Sequence, residues 1–128
     1  FHFIFLYNLL VVNFASTYGV VSSNPSLYSN NSMGNPVAYS ASKGGVVMLT
    51  KYLGCYWGRN GVRVNSITPH GVENNHEEEF ISNFKKMSPS NRLMKPHEVT
   101  NPVLFLSSNS SSYINASNLI ADGGWTSW

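Results

Sequence analysis

The chain has 128 residues, 42% of them apolar, which is enough for one domain with a hydrophobic core, so extended disorder is not expected. Its net charge is only +2 and its basic residues form no run, so neither nucleic acid nor a membrane surface is expected as a partner. The single cysteine, Cys55, excludes an internal disulfide and a cysteine-based zinc cluster. Because it lies in an apolar helical stretch, we expect it to be buried in the core.

The N-terminal stretch FHFIFLYNLLVVNF is apolar but interrupted at Asn8 and Asn13. It is too short for a membrane span and lacks the basic region of a signal peptide, so we expect a cytoplasmic protein. Its β-branched and aromatic residues favour a buried strand at residues 9–14. Because the chain begins without methionine and directly in strand-like sequence, we expect it to be a fragment.

A polar loop rich in turn-forming residues follows this strand. It is long enough to have a function of its own. Residues 38–57 are predicted to form a helix, because apolar residues recur there at steps of three and four. These positions are Val46, Leu49, Leu53 and Tyr56.

Two glycines, Gly44 and Gly45, lie inside this predicted helix. Glycine disfavours a helix by roughly 1 kcal/mol relative to alanine. We therefore expect both positions to allow a close approach by another backbone or by a ligand. The sequence GRNG then predicts a turn that ends the helix at Gly58 or Gly61.

The rest of the chain predicts two strands and two helices. Residues 62–67 form a short strand that Pro69 closes, and ASNLIADGGW contains the last strand. The segment NNHEEEFISNFKKM predicts a helix with acidic residues in its first turn and lysines in its last. A second helix starts near Pro96, although Pro102 is unfavourable within it. This order of elements predicts one α/β domain with a parallel sheet.

The segment YSASK places Tyr39 and Lys43 four residues apart, on one face of the predicted helix. A lysine ammonium near a phenol stabilises the phenolate, which makes the tyrosine a usable general acid and base. The spacing alone fits equally an amphipathic helix with an exposed lysine, so it needs support from other motifs.

Further motifs resemble the short-chain dehydrogenase/reductase family. There, a Tyr-x-x-x-Lys pair follows a serine placed just after a strand, and Ser16 in ASTYG matches that serine. RVNSITPHG resembles the family's R-V-N-x-I-x-P-G, and SSYINASNLIADGGW resembles its S-x-Y-I-T-G-x-x-I-x-V-D-G-G. With these motifs in this order, residues 1–128 are similar to the C-terminal part of a Rossmann-type doubly wound parallel sheet.

The resemblance implies hydride transfer that interconverts a hydroxyl and a carbonyl on a small molecule. Tyr39 would exchange a proton with the substrate oxygen, and Ser16 would hold and polarise that oxygen. Lys43 would stabilise the tyrosinate and hydrogen-bond the nicotinamide ribose, so that both residues of the pair contact the cofactor as well. No residue is expected to bind a metal.

The resemblance also implies a cofactor, NAD or NADP. Pro69, His70, Gly71 and Val72 would pass the nicotinamide carboxamide, with the Val72 N–H fixing the face of the ring. The choice between the two dinucleotides stays open, because the deciding residue lies outside this sequence.

Several features depart from the family. The glycine-rich fingerprint T-G-x-x-x-G-x-G is absent, so the N-terminal nucleotide-binding half is expected upstream, and this chain alone is expected to be inactive. His70 stands where the family has glycine and would either crowd the nicotinamide or point to solvent. Asn115 and Ala116 replace a Thr-Gly pair, which is a milder change.

The interval between Ser16 and Tyr39 is about twice that of many family members. The added loop resembles a branch associated with bacterial surface-sugar and flagellin modification, and a neutral surface insertion is the alternative. Family members form dimers or tetramers, so a homo-oligomer is expected for the full-length form. Trp125 and Trp128 are expected to pack at the subunit interface.

Two further patterns in the sequence resemble sites of other functions, but each is incomplete. Ser40-x-x-Lys43 matches a serine-hydrolase pattern, but no lysine is followed by threonine as the Lys-Thr-Gly partner motif requires. HEEEF resembles a zinc motif, but Phe80 stands in place of the second histidine. The remaining alternative is a non-catalytic remnant or interaction module that binds no cofactor.

Overall fold

The computed structural model describes residues 9–28 and 34–128. Residues 29–33 of the predicted loop lie outside these ranges. Three strands pair in parallel in the order β1-β2-β3, and helices connect them, which confirms the predicted α/β class. The elements are β1 (Leu10–Phe14), α1 (Val37–Gly58), β2 (Arg63–Pro69), α2 (Glu78–Met87), α3 (Pro96–Leu106) and β3 (Asn118–Ala121), with short 3-10 turns at Thr17–Gly19, Pro25–Tyr28 and Asn109–Ser111.

The central strand, β2, is buried along most of its length although several of its side chains are polar. Asn65 Nδ2 donates to the Ile114 carbonyl at 2.9 Å, and the hydroxyls of Ser66 and Thr68 donate to Asn118 Oδ1 at 2.9 and 2.7 Å. Polar groups can be buried here because each has a hydrogen-bond partner. The same bonds hold β3 in register beside β2.

Helix α1 packs on the sheet through small residues. Its buried residues are Thr50 and Gly54, and Thr50 Oγ1 accepts from Asn13 Nδ2 of β1 at 3.0 Å. The predicted apolar stripe is only partly covered, with Leu49 49% and Tyr56 68% exposed. Neither this helix nor any other in the described part of the chain is long and apolar enough to cross a membrane.

A close backbone contact explains Gly54, one of the four glycines within the bounds of α1. A Cβ built on Gly54 would lie 2.8 Å from the Cα of Ala116, in the segment before β3. The predicted close approach is present at Gly44, whose nitrogen lies 2.8 Å from a Cβ built on Gly19, although a Cβ on Gly44 itself would make only an ordinary contact of 3.5 Å with the Gly19 carbonyl oxygen. At Gly45 no backbone of the described residues makes such an approach, because no atom lies within 4 Å of its added Cβ, and an approach by a ligand stays a prediction.

Two expectations about single side chains are wrong. Cys55 is exposed, because it lies on the outer side of α1 and not among the core residues. Trp125 is only 9% exposed and belongs to the core cluster with Phe84, so it does not extend from the surface towards a partner. Trp128 is 84% exposed.

His70 lies inside this aromatic cluster, with its ring centroid 4.2 Å from that of Trp125 and 5.1 Å from that of Phe84. Its Nδ1 shares a hydrogen bond with the buried Thr17 hydroxyl, and its Nε2 is buried with no partner among the described residues. Burial lowers the pKa of His70 to about 4, against the opposing effect of Asp122. The expectation that His70 points to solvent is therefore wrong, because its side chain is turned into the core.

The contact at Gly54 predicts an asymmetry between two glycine substitutions in α1. Gly54→Ala should lower the free energy of unfolding by about 1–3 kcal/mol, because the methyl meets the Ala116 backbone. Gly45→Ala is the matched control, and it should be neutral or stabilise by up to about 1 kcal/mol through helix propensity. Urea unfolding measures both, and equal stabilities of the two variants would contradict the packing.

The burial of His70 predicts acid sensitivity. Its pKa is lowered from 6.5 to about 4, so between these pH values only the unfolded state takes up this proton. The contribution of His70 to the free energy of unfolding should then fall by about 1.4 kcal/mol per pH unit as the pH drops. His70→Phe should remove that part of the slope, measured by urea unfolding across this range. The exposed His97 supplies the control substitution, and a His70→Phe variant with the parent's slope would refute the assignment.

Candidate active site

The candidate site lies where the carboxyl ends of β1 and β2 meet. The two strands are parallel neighbours, with Phe14 opposite Ile67, so the chain leaves both at the same edge of the sheet. Ser16 follows β1, and residues 69–72 follow at the end of β2. Open parallel sheets bind their ligands at this edge.

Ser16 is held in place as the N-cap of the turn Thr17–Gly19. Its backbone is extended, and its Oγ accepts a hydrogen bond from the Tyr18 N–H at 3.3 Å. Ser16 is also buried, with a solvent exposure of 8%. The cap therefore fixes the serine oxygen at the end of the strand and leaves its own O–H free to donate.

The turn that carries Ser16 is in backbone contact with α1. A Cβ built on Gly19 would lie 2.5 Å from the carbonyl carbon of Lys43 and 2.8 Å from the nitrogen of Gly44. Only a residue without a side chain permits this approach. The contact places the first turns of α1 beside the end of β1.

Tyr39 and Lys43 lie one turn apart on α1. The Lys43 Nζ is 5.7 Å from the centroid of the Tyr39 ring, and it donates to the Phe14 carbonyl oxygen at 2.9 Å. Because an ammonium has three N–H donors, two are left for other partners. The Tyr39 side chain is 41% exposed, so its phenol is accessible from the open side of the sheet edge.

A cavity of about 300 Å³ opens at this edge. Its wall brings together most of the residues that the sequence singled out, but Lys43 is not among them. The predicted residues in the wall are Ser16, Tyr39, Pro69, His70, Gly71 and Val72. Within residues 9–28 and 34–128, no group of His, Cys, Asp and Glu side chains is arranged to hold a metal ion.

The backbone at Val72 fits the role of a hydrogen-bond donor to a nicotinamide carboxamide. The Met94 N–H donates to the Gly71 carbonyl and the Glu73 N–H donates to the Met94 carbonyl, both at 2.8 Å. Val72 lies between Gly71 and Glu73, and in a parallel bridge of this kind its N–H points away from Met94. The Val72 N–H has no acceptor among the described residues, and Val72 lines the cavity.

The sequence did not indicate three polar residues of the same wall: Tyr18, Tyr28 and Asn35. The hydroxyl oxygens of Tyr18 and Tyr28 are 2.9 Å apart, and burial and this neighbour raise the pKa of Tyr18. The only indication in the sequence that Tyr18 lines the site is its position two residues after Ser16. Tyr28 and Asn35 lie in the long loop, where no periodicity shows which side chains turn inward.

Comparisons with known proteins agree with this geometry. A family model described as enoyl-(acyl carrier protein) reductase matches residues 11–126. The galactitol 2-dehydrogenase (L-tagatose-forming) of Cereibacter sphaeroides is 33% identical over 124 residues, which cover 92% of this chain and 46% of that protein.

Two solved structures show the same fold. A short chain dehydrogenase from Leptospira borgpetersenii with bound NAD+ has a TM-score of 0.85 and 36% identity, over 91% of this chain and 44% of that one. A gluconate 5-dehydrogenase from Burkholderia cenocepacia in complex with NADP and tartrate has a TM-score of 0.78 and 26% identity, over 93% of this chain and 45% of that one.

The chain spans less than half the length of the curated relatives it matches. Within that span, the matched family model covers nearly all of its residues, and the sheet corresponds to the Rossmann-fold sheet of its structural neighbours. The chain therefore belongs to the short-chain dehydrogenase/reductase family.

Proposed function

We propose that these residues form the C-terminal, catalytic half of an oxidoreductase that interconverts a hydroxyl and a carbonyl with NAD or NADP. The observation that carries this proposal is the shared cavity wall, in which Ser16 and Tyr39 face the same space as the Val72 segment. A proton-transferring phenol, an orienting hydroxyl and a donor for the nicotinamide amide are the groups that such a reaction requires.

Each residue has a defined task in the proposed reaction. The Ser16 hydroxyl donates to the substrate oxygen and orients it, while the Tyr39 phenol exchanges a proton with that same oxygen. Lys43 lies close enough to stabilise the phenolate by its charge, and its unused N–H groups are available to a ribose hydroxyl. When bound, the nicotinamide supplies or accepts the hydride.

We propose that the nucleotide-binding half lies upstream of residue 1. The described residues contain no glycine-rich turn at a helix N-terminus that would hold a pyrophosphate. By itself the chain would then bind dinucleotides weakly and be inactive. In the complete protein we propose a cytoplasmic homo-oligomer, with the exposed face of α1 covered by the missing half or by a second subunit. The exposed large apolar residues of α1 include Met48, Leu49, Tyr52 and Tyr56.

Polyhydroxylated compounds are the proposed substrate class. The galactitol 2-dehydrogenase and the gluconate 5-dehydrogenase that resemble this chain are named for such substrates. The predicted relation of the long loop to surface-sugar and flagellin modification enzymes stays a prediction. The rival proposal, a remnant without cofactor, is favoured only by the short span of the chain relative to its relatives.

A chimaera tests the proposal and its rival together. In it, this chain replaces the matching region of the Leptospira borgpetersenii dehydrogenase, whose own upstream half supplies the phosphate-binding turn. The parent chimaera should bind NAD+ and oxidise polyols. A folded chimaera that binds no dinucleotide would favour the remnant.

In this chimaera, Tyr39→Phe should lower kcat by about 10²- to 10⁴-fold, because the phenol transfers the proton and the ring keeps its place. Dinucleotide affinity, measured by fluorescence titration, should stay close to that of the parent. Tyr113→Phe, at a fully exposed position, is the control for loss of a phenol hydroxyl. Turnover by Tyr39→Phe near the parent rate would rule out the proposed mechanism.

Lys43→Ala should have a double effect, because its ammonium serves both the phenolate and the ribose. We expect weaker dinucleotide binding and residual activity that moves to higher pH, since the phenolate loses a stabilising charge. Lys51→Ala, two turns further along α1, is the matched control. Titration and a pH–rate profile measure the two effects, and an unchanged profile would show that Lys43 is not coupled to Tyr39.

A further inference from the structure

We propose that Tyr18 and Tyr28 form a subsite for a second hydroxyl of the substrate, which makes the cavity selective for polyhydroxylated compounds over monofunctional alcohols. The inference rests on the proposed oxidoreductase function and assigns a task to residues that the reaction itself does not use. It also gives the long loop after Ser16 a role in substrate choice.

The two phenols stand in the same cavity as the proposed catalytic pair. Tyr18 belongs to the turn that Ser16 caps, and Tyr28 ends the next turn along the chain. Their hydroxyl oxygens are 2.9 Å apart, and both residues share the wall with Ser16 and Tyr39. A substrate oriented at Ser16 therefore shares its cavity with these two hydroxyls.

The hydroxyl pair has hydrogen-bonding capacity to spare. Two phenols that bond to each other use one O–H, and the Ser23 hydroxyl occupies a lone pair of Tyr18, so one O–H of the pair is left over. Burial, together with Tyr28, raises the pKa of Tyr18, so this phenol keeps its proton through the neutral range. The Asn35 amide nitrogen in the same wall is buried and has no partner among the described residues.

The positions of these side chains are fixed by packing. Leu27, beside Tyr28, is 1% exposed in the core cluster, and the Tyr28 ring lies 5.8 Å from that of Phe80. The edge of the Tyr18 ring meets His70, with centroids 5.7 Å apart. The described part of the loop up to Tyr28 is therefore packed against the core, and this packing fixes the positions of the two phenols.

This arrangement discriminates between substrates because some of them leave the free O–H of the tyrosine pair without a hydrogen-bond partner. An oxygen of a polyol accepts a hydrogen bond from the free O–H of the tyrosine pair. This bond takes the place of the bond to the water that the polyol displaces. A monofunctional alcohol of similar size displaces that water but offers no partner, so the O–H is left without a hydrogen bond and kcat/KM falls. Discrimination should therefore appear in kcat/KM ratios and not in dinucleotide binding.

The test compares matched substrates in the chimaera described above. Galactitol is paired with hexan-2-ol and threitol with butan-2-ol, and kcat/KM is measured for each. The parent should prefer the polyol of each pair. Tyr28→Phe keeps the ring that packs on Phe80, and it should reduce the polyol-to-alkanol ratio by about 10- to 100-fold, while dinucleotide affinity is unchanged.

Tyr18→Phe is the second variant, and it should reduce the same ratio, whereas Tyr113→Phe should not. Circular dichroism and dinucleotide titration establish that each variant is folded. If the parent oxidises both classes but neither tyrosine variant changes the ratio, the subsite is refuted and the oxidoreductase function stands. If a folded parent that binds the dinucleotide turns over neither class, the proposed function fails and the subsite fails with it.

Discussion

The backbone contact between Gly19 and the Lys43–Gly44 peptide is the constraint on which the site depends. At 2.5 Å from the Lys43 carbonyl carbon, a Cβ on Gly19 would separate the turn from the helix. The turn carries Ser16 and the helix carries Tyr39, so their relative position is set by two stretches of main chain without an intervening side chain. Main-chain contacts of this kind are rigid because neither partner has a rotamer to change.

The rest of the sheet edge is built around that contact. The strand ends that supply Ser16 and residues 69–72 are adjacent because β1 and β2 are parallel neighbours. Behind them, His70 bonds to the Thr17 hydroxyl and packs on Trp125. The residue that looked most damaging to a nicotinamide site is thus a core residue that links the two loops. Its burial excludes a side chain that faces water, while His70 still lines the cavity, so crowding of the nicotinamide stays a prediction.

Within the described part of the chain, the outer surface of α1 lacks the packing contacts that its inner surface makes with the sheet. Its large apolar residues are exposed while Thr50 and Gly54 meet the sheet, and its aromatic side chains Tyr52 and Tyr56 stack on one another with centroids 5.8 Å apart. A helix that presents small residues to its own sheet and large ones outward is suited to contacts beyond this chain. This fits the proposal that these residues form one half of a larger subunit.

By itself the sequence determined the order of strands and helices, the parallel sheet and the family, because hydrophobic period, turn residues and motif spacing are local properties of the chain. It also singled out Tyr39 and Lys43 by their four-residue spacing, and Ser16 by its place directly after a predicted strand. Only the tertiary structure decided which way side chains face. The inward turn of His70 and the entry of Tyr28 into the cavity wall depend on contacts between segments distant in sequence, which no local pattern encodes.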